Sequence, residues 1–442
     1  MPMLSANLKI LAELKEFITT ISNNKLLLQK FSRCEKDFSR NRKLPFTRLA
    51  ILISKLCKKT LSVELERFFE DISLSDSCSV SAFSQQRLKL DPFFFNLWNH
   101  VLTDAFYYYY GSSAKLWKGY RVIAADGSTV SLINNASLSN HFGGQSNQQS
   151  GFVLAKTFYH YDVLNELVVA SQIKPYRYGE LNMAYDAIEH LQPDMLSIYD
   201  RNFCNYKMVA LHTWQESERK FVIRAKESQK LIKAFIESGE QSGVVYMEPT
   251  RFSIEGLRKC GYIADKKTLL KVRLVRVELQ NTVEVLMTNL WEEQGHGPEI
   301  FKDLYFMRWG VETNISVQKN IMQLESFSGL TAHTVLQDFY ATVFTANLHS
   351  ILIKHSQHTV DSTMKDRKYP MKINKNKSFG KLKMNIISLF MDNDVGQILL
   401  KLHDQFIKEI IPVRKGRSFP RIRKNRQSNS KFKTFSNFKP TY

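Results

Sequence analysis

The side chains best suited to chemistry in this 442-residue sequence stand in one stretch, Tyr305-Phe-Met-Arg308-Trp-Gly-Val-Glu312-Thr-Asn-Ile-Ser-Val-Gln-Lys319. Arg308, Glu312 and Lys319 follow the tyrosine at offsets of three, seven and fourteen. At about 100° per residue, one continuous helix would carry all four within a stripe of about 60°. An acid flanked by two cations and a phenol suits a phosphodiester held beside a metal ion. The arginine can grip phosphate with two hydrogen bonds, and the lysine adds a point charge. Taken alone, a helical glutamate near cations is more often a solvated surface pair. Upstream partners must therefore decide its meaning.

Two aspartates supply them. Asp126 closes the short, mostly apolar run Trp117–Ala125 and is followed by Gly127 and Ser128, which let backbone or substrate come close. Asp200 closes the run Met195–Tyr199 and is followed by Arg201 and Asn202. Either alone reads equally well as a strand-end aspartate capping a turn. Asp194 precedes the same run instead of ending it and is set aside. Three clustered carboxylates would raise one another's pKa unless cations relieved the repulsion. Hard oxygen ligands select Mg²⁺ or Mn²⁺, and two ions about 4 Å apart serve an in-line displacement at phosphorus.

The spacing Y-x2-R-x3-E-x6-K, with Asp126-Gly-Ser and Asp200-Arg upstream in that order, resembles the signature of the insertion-sequence-four family of bacterial DDE transposases. The resemblance spans roughly residues 80–350. It implies a ribonuclease-H-like core whose acids are Asp126, Asp200 and Glu312, holding two Mg²⁺ (or Mn²⁺) ions. Tyr305, Arg308, Lys319 and Arg201 would contact DNA. It also implies cleavage of the element's ends and joining of the freed 3′-hydroxyls to target DNA, within a synaptic complex of at least two protomers, expected to be a homodimer. Asn202 departs from the glycine of many relatives, but asparagine tolerates left-handed backbone. In one branch of the family a tryptophan stacks a flipped base four residues before the threonine of an L-L-T strand. The corresponding position here is Glu284, and Trp291 and Trp214 are only loose substitutes.

The elements that must position these residues follow from periodicity. Leu8–Ile21, Phe46–Cys57, Leu61–Ile72 and Pro92–Tyr110 carry apolar residues at helical spacing. Ser79–Arg87 reads as a capped helix whose amides and arginine either read base edges or form an ordinary polar face. The aromatic run Phe106–Tyr110 is expected to pack rather than to stack on bases. After an Asn/Gln/Ser/Gly-rich loop at 134–151, Phe152–Tyr161 and Glu166–Ile173 form a hairpin turning at Leu164-Asn165. Helices are expected at Glu180–Leu191 and Cys204–Trp214, with a strand at Phe221–Ala225. Gly243–Met247, Leu269–Leu279 and Val283–Leu290 are strand-like. One helix is then expected from Pro298–Glu299 to about Phe327, another over Thr331–Lys354, and a basic connector at 364–383.

The expected class is thus α/β, with five parts: residues 1–112, a helical DNA-binding region; 113–226, the first part of the core; 227–296, a β-rich insertion; 297–354, the last part of the core; and 355–442, helical and basic. The last thirty residues hold ten Lys/Arg and no acid, interleaved with Phe419, Phe432, Phe435 and Phe438, a pattern that favours nucleic-acid contact. Formal net charge is +20, which implies a polyanionic partner such as DNA. Five scattered cysteines (Cys34, Cys57, Cys78, Cys204, Cys260) show no zinc spacing and read as reduced thiols of a cytoplasmic, nucleoid-associated protein. No apolar run is long enough to span a membrane. Two rival functions remain open: a metal-dependent nuclease without strand transfer, and an inactive DNA-binding derivative.

Overall fold

Apolar residues at three- and four-residue spacing build the helices of the N-terminal third. Leu11, Leu14, Ile18 and Ile21 are buried along helix Pro2–Asn23, as are Phe94, Trp98, Leu102 and Phe106 along helix Phe93–Tyr110. The computed structural model describes residues 2–40, 42–55, 58–146, 151–214, 218–279, 282–365 and 367–414. The chain divides into two compact units: one comprises Met1–Ser113, Val130–Ala155 and Val317–Tyr442, and the other Ala114–Thr129 and Lys156–Ser316.

In the first unit, the Trp98 ring stacks on Phe344 of helix Ala332–Thr363 with 4.0 Å between centroids. A buried tryptophan removes about 150–250 Å² from water, so these helices owe their stability to packing more than to propensity. The aromatic run packs as its spacing dictates. Phe106 and Tyr110 point inward, where the Tyr110 hydroxyl donates to Asn7 at 2.9 Å, and Tyr108 is exposed.

Ser79 does cap the helix Val80–Arg87, accepting from the Ala82 N–H at 3.1 Å. Its arginine is no base reader, however. Arg87 is 2% exposed and bonds Gln337 at 2.9 Å, Ser328 at 2.8 Å and Asp338 at 3.0 Å. The 134–151 loop contains a helix, Ala136–Phe142, capped by Asn135. The 364–383 connector contains the start of helix Lys375–Met391, capped by the Asn374 side chain. Asparagine-rich composition marks caps as readily as loops. Residues 147–150, Cys57 and the basic tail from residue 415 lie outside the described residues.

The strands are β1 (Arg121–Ser131), β2 (Gly144–Ser146), β3 (Gly151–Asp162), β4 (Leu167–Pro175), β5 (Met195–Tyr199), β6 (Lys220–Arg224), β7 (Ser242–Met247), β8 (Leu270–Glu278) and β9 (Val283–Thr288). They form a nine-stranded sheet of order β2-β3-β1-β5-β6-β9-β8-β7, with β4 pairing β3 off that path. β5 runs parallel to β1 and to β6. β9 pairs antiparallel with β6, and β8 and β7 extend that edge antiparallel. A helix, Glu180–Ala187, connects β4 to β5, and another, Tyr206–Thr213, connects β5 to β6.

The expected strand at Trp117–Ala125 is corrected at both ends. Lys118 and Gly119 adopt φ of 48° and 86°, closing a tight turn in which Trp117 and Tyr120 pair. β1 therefore begins at Arg121. It also continues past Asp126 to Ser131, so this aspartate is inside the strand rather than at its end.

Candidate active site

The strand register brings the two aspartates to one level. β1 and β5 pair in parallel from Arg121↔Met195 to Ala124↔Ile198. Asp126 and Asp200 each lie two residues beyond that last pair. Both therefore fall on the same face of neighbouring strands spaced about 4.8 Å apart. Val122, Leu196 and Ile198, on that face, are buried in a cluster with Phe301 and Leu304 of the helix Phe301–Phe306. The motif helix is thereby seated on the face that carries the aspartates.

Asp126 Oδ1 accepts from the Gly127 N–H at 2.8 Å. Its pKa is nevertheless pushed up to about 7, first by burial and then by the negative charge of Glu180, with Asp200 adding to it. The Gly127 N–H and Arg308 act in the opposite direction. Asp200 accepts from the Asn202 N–H at 2.7 Å, capping the 3₁₀ turn Arg201–Phe203. Asn202 thus sits in right-handed helical backbone, and the left-handed conformation that would favour it is not used. Arg201 is exposed. Asp194 pairs with Arg121 at the other end of the strands, away from this site.

The single helix expected for Tyr305, Arg308, Glu312 and Lys319 is interrupted twice. After Phe306 the chain tightens: Arg308 donates to Tyr305 O at 3.0 Å and Gly310 to Met307 O at 2.9 Å, each three residues back. A β-carbon on Gly310 would come within 3.0 Å of Val163 Cγ1, so the glycine allows close packing at the bend. Helix Trp309–Ser316 follows and then widens into a π-helical turn, Val317–Ile321. There Met322 donates five residues back to Val317 O at 3.1 Å. The one-cylinder stripe is therefore not formed, because its angular step is not constant. Tyr305, Arg308 and Glu312 lie in the second unit, and Lys319 lies in the first.

Arg308 still meets Glu312: its guanidinium donates to Glu312 Oε1 at 2.9 Å. It is only 7% exposed and lies 4.7 Å from the Trp309 ring centroid and 5.9 Å from that of Tyr305. Burial opposes its charge, but Tyr305, Glu312 and Asp126 more than offset that, so the guanidinium is held above its ordinary pKa. Burial pushes the Tyr305 phenol up to about 12.

Two further side chains belong to the site and were not singled out from sequence. Glu180 opens the helix after β4, where the helix dipole favours an acid. Its carboxyl pKa is raised first by burial and then by Asp200, while Lys156 and the Gly127 N–H lower it. Lys156 also donates to Thr129 Oγ1 at 2.9 Å. An acid at the first position of a helix following a strand is the only sequence signal of Glu180, and it is a common one. The tryptophan substitutes are engaged elsewhere: Trp291 lies beneath Lys271, and Trp214 packs on Tyr206. Glu284 pairs with Arg224 at 2.8 Å.

Among the described residues, no three His, Cys, Asp or Glu side chains form a group that could hold a metal ion. The expected closed cage of Asp126, Asp200 and Glu312 is not drawn together. Glu312 accepts from Arg308 instead. The donor chemistry still matches a hard divalent ion, for every carboxylate here is an oxygen ligand. The repulsion that lifts Asp126 is what such an ion would relieve.

A search of curated proteins gives no match. Among solved structures, the chain is similar to a piggyBac transposase in a cryo-EM synaptic complex with hairpin DNA. That likeness has 13% identity and a TM-score of 0.41 over 95% of this chain and 87% of that one; at this level it carries no argument about fold or function. Residues 117–348 match the family described as the transposase DDE domain. This match covers more than half of the sequence and contains both aspartates and the arginine–glutamate pair: the chain belongs to the DDE transposase family.

Proposed function

We propose that the protein is a DNA transposase of the insertion-sequence-four type. It binds the ends of its element, cleaves them by metal-dependent hydrolysis and joins the freed 3′-hydroxyls to target DNA. The observation that carries this reading is the shared register of Asp126 and Asp200 on parallel strands, on the face against which Phe301 and Leu304 of the motif segment pack. The strand order β4-β3-β1-β5-β6, with a helix between β4 and β5, supports a ribonuclease-H-like core. In that reading, β7 to β9 and their helices form the insertion, and Phe301–Ser316 returns the chain to the core.

Asp126, Asp200 and Glu312 are the proposed ligands of the divalent ions, Mg²⁺ or Mn²⁺, two per site. When bound, such ions make water or a 3′-hydroxyl nucleophilic and stabilise the departing oxygen. The protein's part is placement. β1 and β5 hold two carboxylates on a rigid sheet, and Arg308 holds the third through one hydrogen bond. Tyr305 supplies a phenol that stays protonated at neutral pH. Arg201, exposed beside Asp200, and Lys319 are the proposed phosphate contacts. Arg308 is a further proposed phosphate contact, since it bonds Glu312 through a single guanidinium nitrogen. Because cleavage and joining are both in-line displacements at phosphorus, one site serves both. The synaptic complex is proposed to contain two protomers.

The test uses DNA bearing the short inverted repeats that flank the gene. Wild-type protein with Mg²⁺ should cut this DNA and join pre-cut ends to a target, and Asp126→Asn, Asp200→Asn and Glu312→Gln should each abolish both steps. Cleavage without joining would replace the transposase reading with that of a nuclease. End binding without any Mg²⁺-dependent cleavage would mark an inactive derivative. Full activity in Asp126→Asn would overturn the site itself.

A further inference from the structure

Gly380 lies inside helix Lys375–Met391, where glycine weakens a helix relative to alanine. Its φ is not left-handed, and a β-carbon built there would meet nothing within 4 Å. Neither backbone conformation nor crowding therefore calls for the glycine. What its absent side chain leaves open is a cavity of about 510 Å³ within the first unit. Asn376, Gly380, Lys383 and Met384 form one wall, at helical spacing on one side of that helix. Ile321, Met322 and Gln323 form another, at the end of the π-turn that carries Lys319. The rest comes from helices Phe46–Lys55 and Leu61–Asp71 and the turn between them.

The lining combines two chemistries. Met322 and Phe379 belong to one buried apolar cluster and, with Ile321, give the cavity an apolar floor. Five cations, Lys55, Lys58, Lys59, Arg67 and Lys383, share the walls with two acids, Glu64 and Asp71. Both acids are already engaged: Asp71 pairs with Lys55, and Glu64 accepts from the Lys59 N–H at 3.0 Å. Among the described residues, the side chains of Lys59 and Arg67 enter no ion pair. Excess positive charge in a concave site with apolar walls focuses its field on an anion. The volume falls in the range of about 300–1,000 Å³ typical of pockets for one small ligand, so a duplex cannot enter. The Gln323 and Asn376 amides offer donors and acceptors to the edge of a base.

Taking the strand from the transposase reading, we propose that this cavity receives an unpaired nucleotide of DNA. The base rests on the floor of Ile321, Met322 and Phe379, and the adjoining phosphates meet Lys59 and Arg67. Gly380 is the opening through which the nucleotide enters.

The test is fluorescence anisotropy of a short labelled oligodeoxythymidylate with the full chain in EDTA, so that binding is read without cleavage. Gly380→Leu fills the cavity and keeps every charge; it should weaken the single strand by about fivefold or more. Gly380→Ala adds one methyl group to open space and should bind as wild type does. Lys59→Gln with Arg67→Gln should lower the slope of log affinity against log salt by about 0.7 for each cation removed. Lys401→Gln with Lys408→Gln removes the same charge from helix Val395–Lys408, outside the cavity, and should leave the slope unchanged. If Gly380→Leu binds like wild type, or if the two charge pairs act alike, the cavity is rejected. An equal loss for a duplex of the same length would overturn the preference for an unpaired nucleotide. Thymidine monophosphate binding that Gly380→Leu removes, with the strand unaffected, would assign the cavity to a free nucleotide and overturn its role on DNA. Wild-type strand binding without Mg²⁺-dependent cleavage would strike the transposase reading and leave the cavity. Loss of the cavity effect with normal cleavage would do the reverse. Circular dichroism on each variant checks that the fold is kept.

Discussion

Replacing Arg87 by methionine tests whether this residue clamps the fold or reads DNA. Its guanidinium is buried and bonded to Gln337, Ser328 and Asp338. Asp338 is 2% exposed and also accepts from the Ser328 hydroxyl at 2.8 Å. Burial would raise the Asp338 pKa, but Arg87 first, then Lys58 and Ser328, reverse this and hold it at about 2, down from 3.8. At roughly 1.4 kcal/mol per pH unit, that displacement corresponds to about 2 kcal/mol of stability. Removing only the arginine strands a buried charge, which typically costs about 3–5 kcal/mol.

Arg87→Met should therefore lower the urea stability of the helical unit by about 3 kcal/mol at pH 7. Adding Asp338→Asn, which neutralises the stranded carboxylate, should recover about half of this. The pH dependence has a definite sign. A depressed carboxylate stabilises fully above its unfolded pKa, near 3.8, and loses that contribution as pH falls toward about 2. The gap between wild type and Arg87→Met should thus narrow as the pH falls below about 4. A cost below about 0.5 kcal/mol, or an equal cost at pH 7 and pH 3, would refute the clamp. Below its melting temperature the variant should bind end DNA as wild type does, whereas a base-reading arginine would lose specificity.

Arg308→Met leaves Glu312 without its partner and removes a proposed phosphate contact, and should slow strand transfer about 100-fold; a wild-type rate would remove Arg308 from the site. Lys319→Ala should weaken end binding and strand transfer yet leave Mn²⁺ affinity intact, and a parallel loss of both affinities would reject its role at phosphate. His160 and His212 are fully buried, and burial holds both pKa values down to about 3. His190 adds to the first shift, and His160 and Arg219 to the second. Unfolded imidazoles protonate near about 6.5, so the unfolded state gains protons first and stability must fall as pH drops from about 6.5 toward 3. By pH 5 the urea midpoint should reflect a loss on the order of 2 kcal/mol for each histidine, about 4 kcal/mol together, and His160→Phe, beside Phe158, should remove about half of that slope.

The fold was legible wherever apolar spacing was unambiguous. Val122, Leu196 and Val222 sit in short, mostly apolar runs, and β1, β5 and β6 are there. What periodicity missed were changes that leave composition alone. The turn at Lys118-Gly119 and the continuation of β1 through Asp126-Gly-Ser depend on two φ angles and on pairing with β3, and neither is written in a residue type. Asn135 and Asn374 read as loop residues and are caps, since one amide serves both purposes. Arg87 read as exposed because its partners, Gln337 and Asp338, lie about 250 residues later.

The site shows the same division between local order and long-range meeting. Spacing identified Arg308 and Glu312 because four residues on a helix make neighbours regardless of the rest of the fold. It could not carry the angle on to Lys319, because a tightened turn before Gly310 and a π-turn at Val317 alter the step between them. Glu180 was invisible for a different reason. Its place arises only when the hairpin β3–β4 and the following helix bring residue 180 back onto residue 127, where a β-carbon would stand 2.3 Å from Glu180 Oε1, and Gly127 records that meeting as a missing side chain. A glycine next to an acid therefore has two readings in sequence, freedom of the backbone or room for a neighbour. Here the backbone does not need the freedom, so the neighbour is what the glycine makes room for.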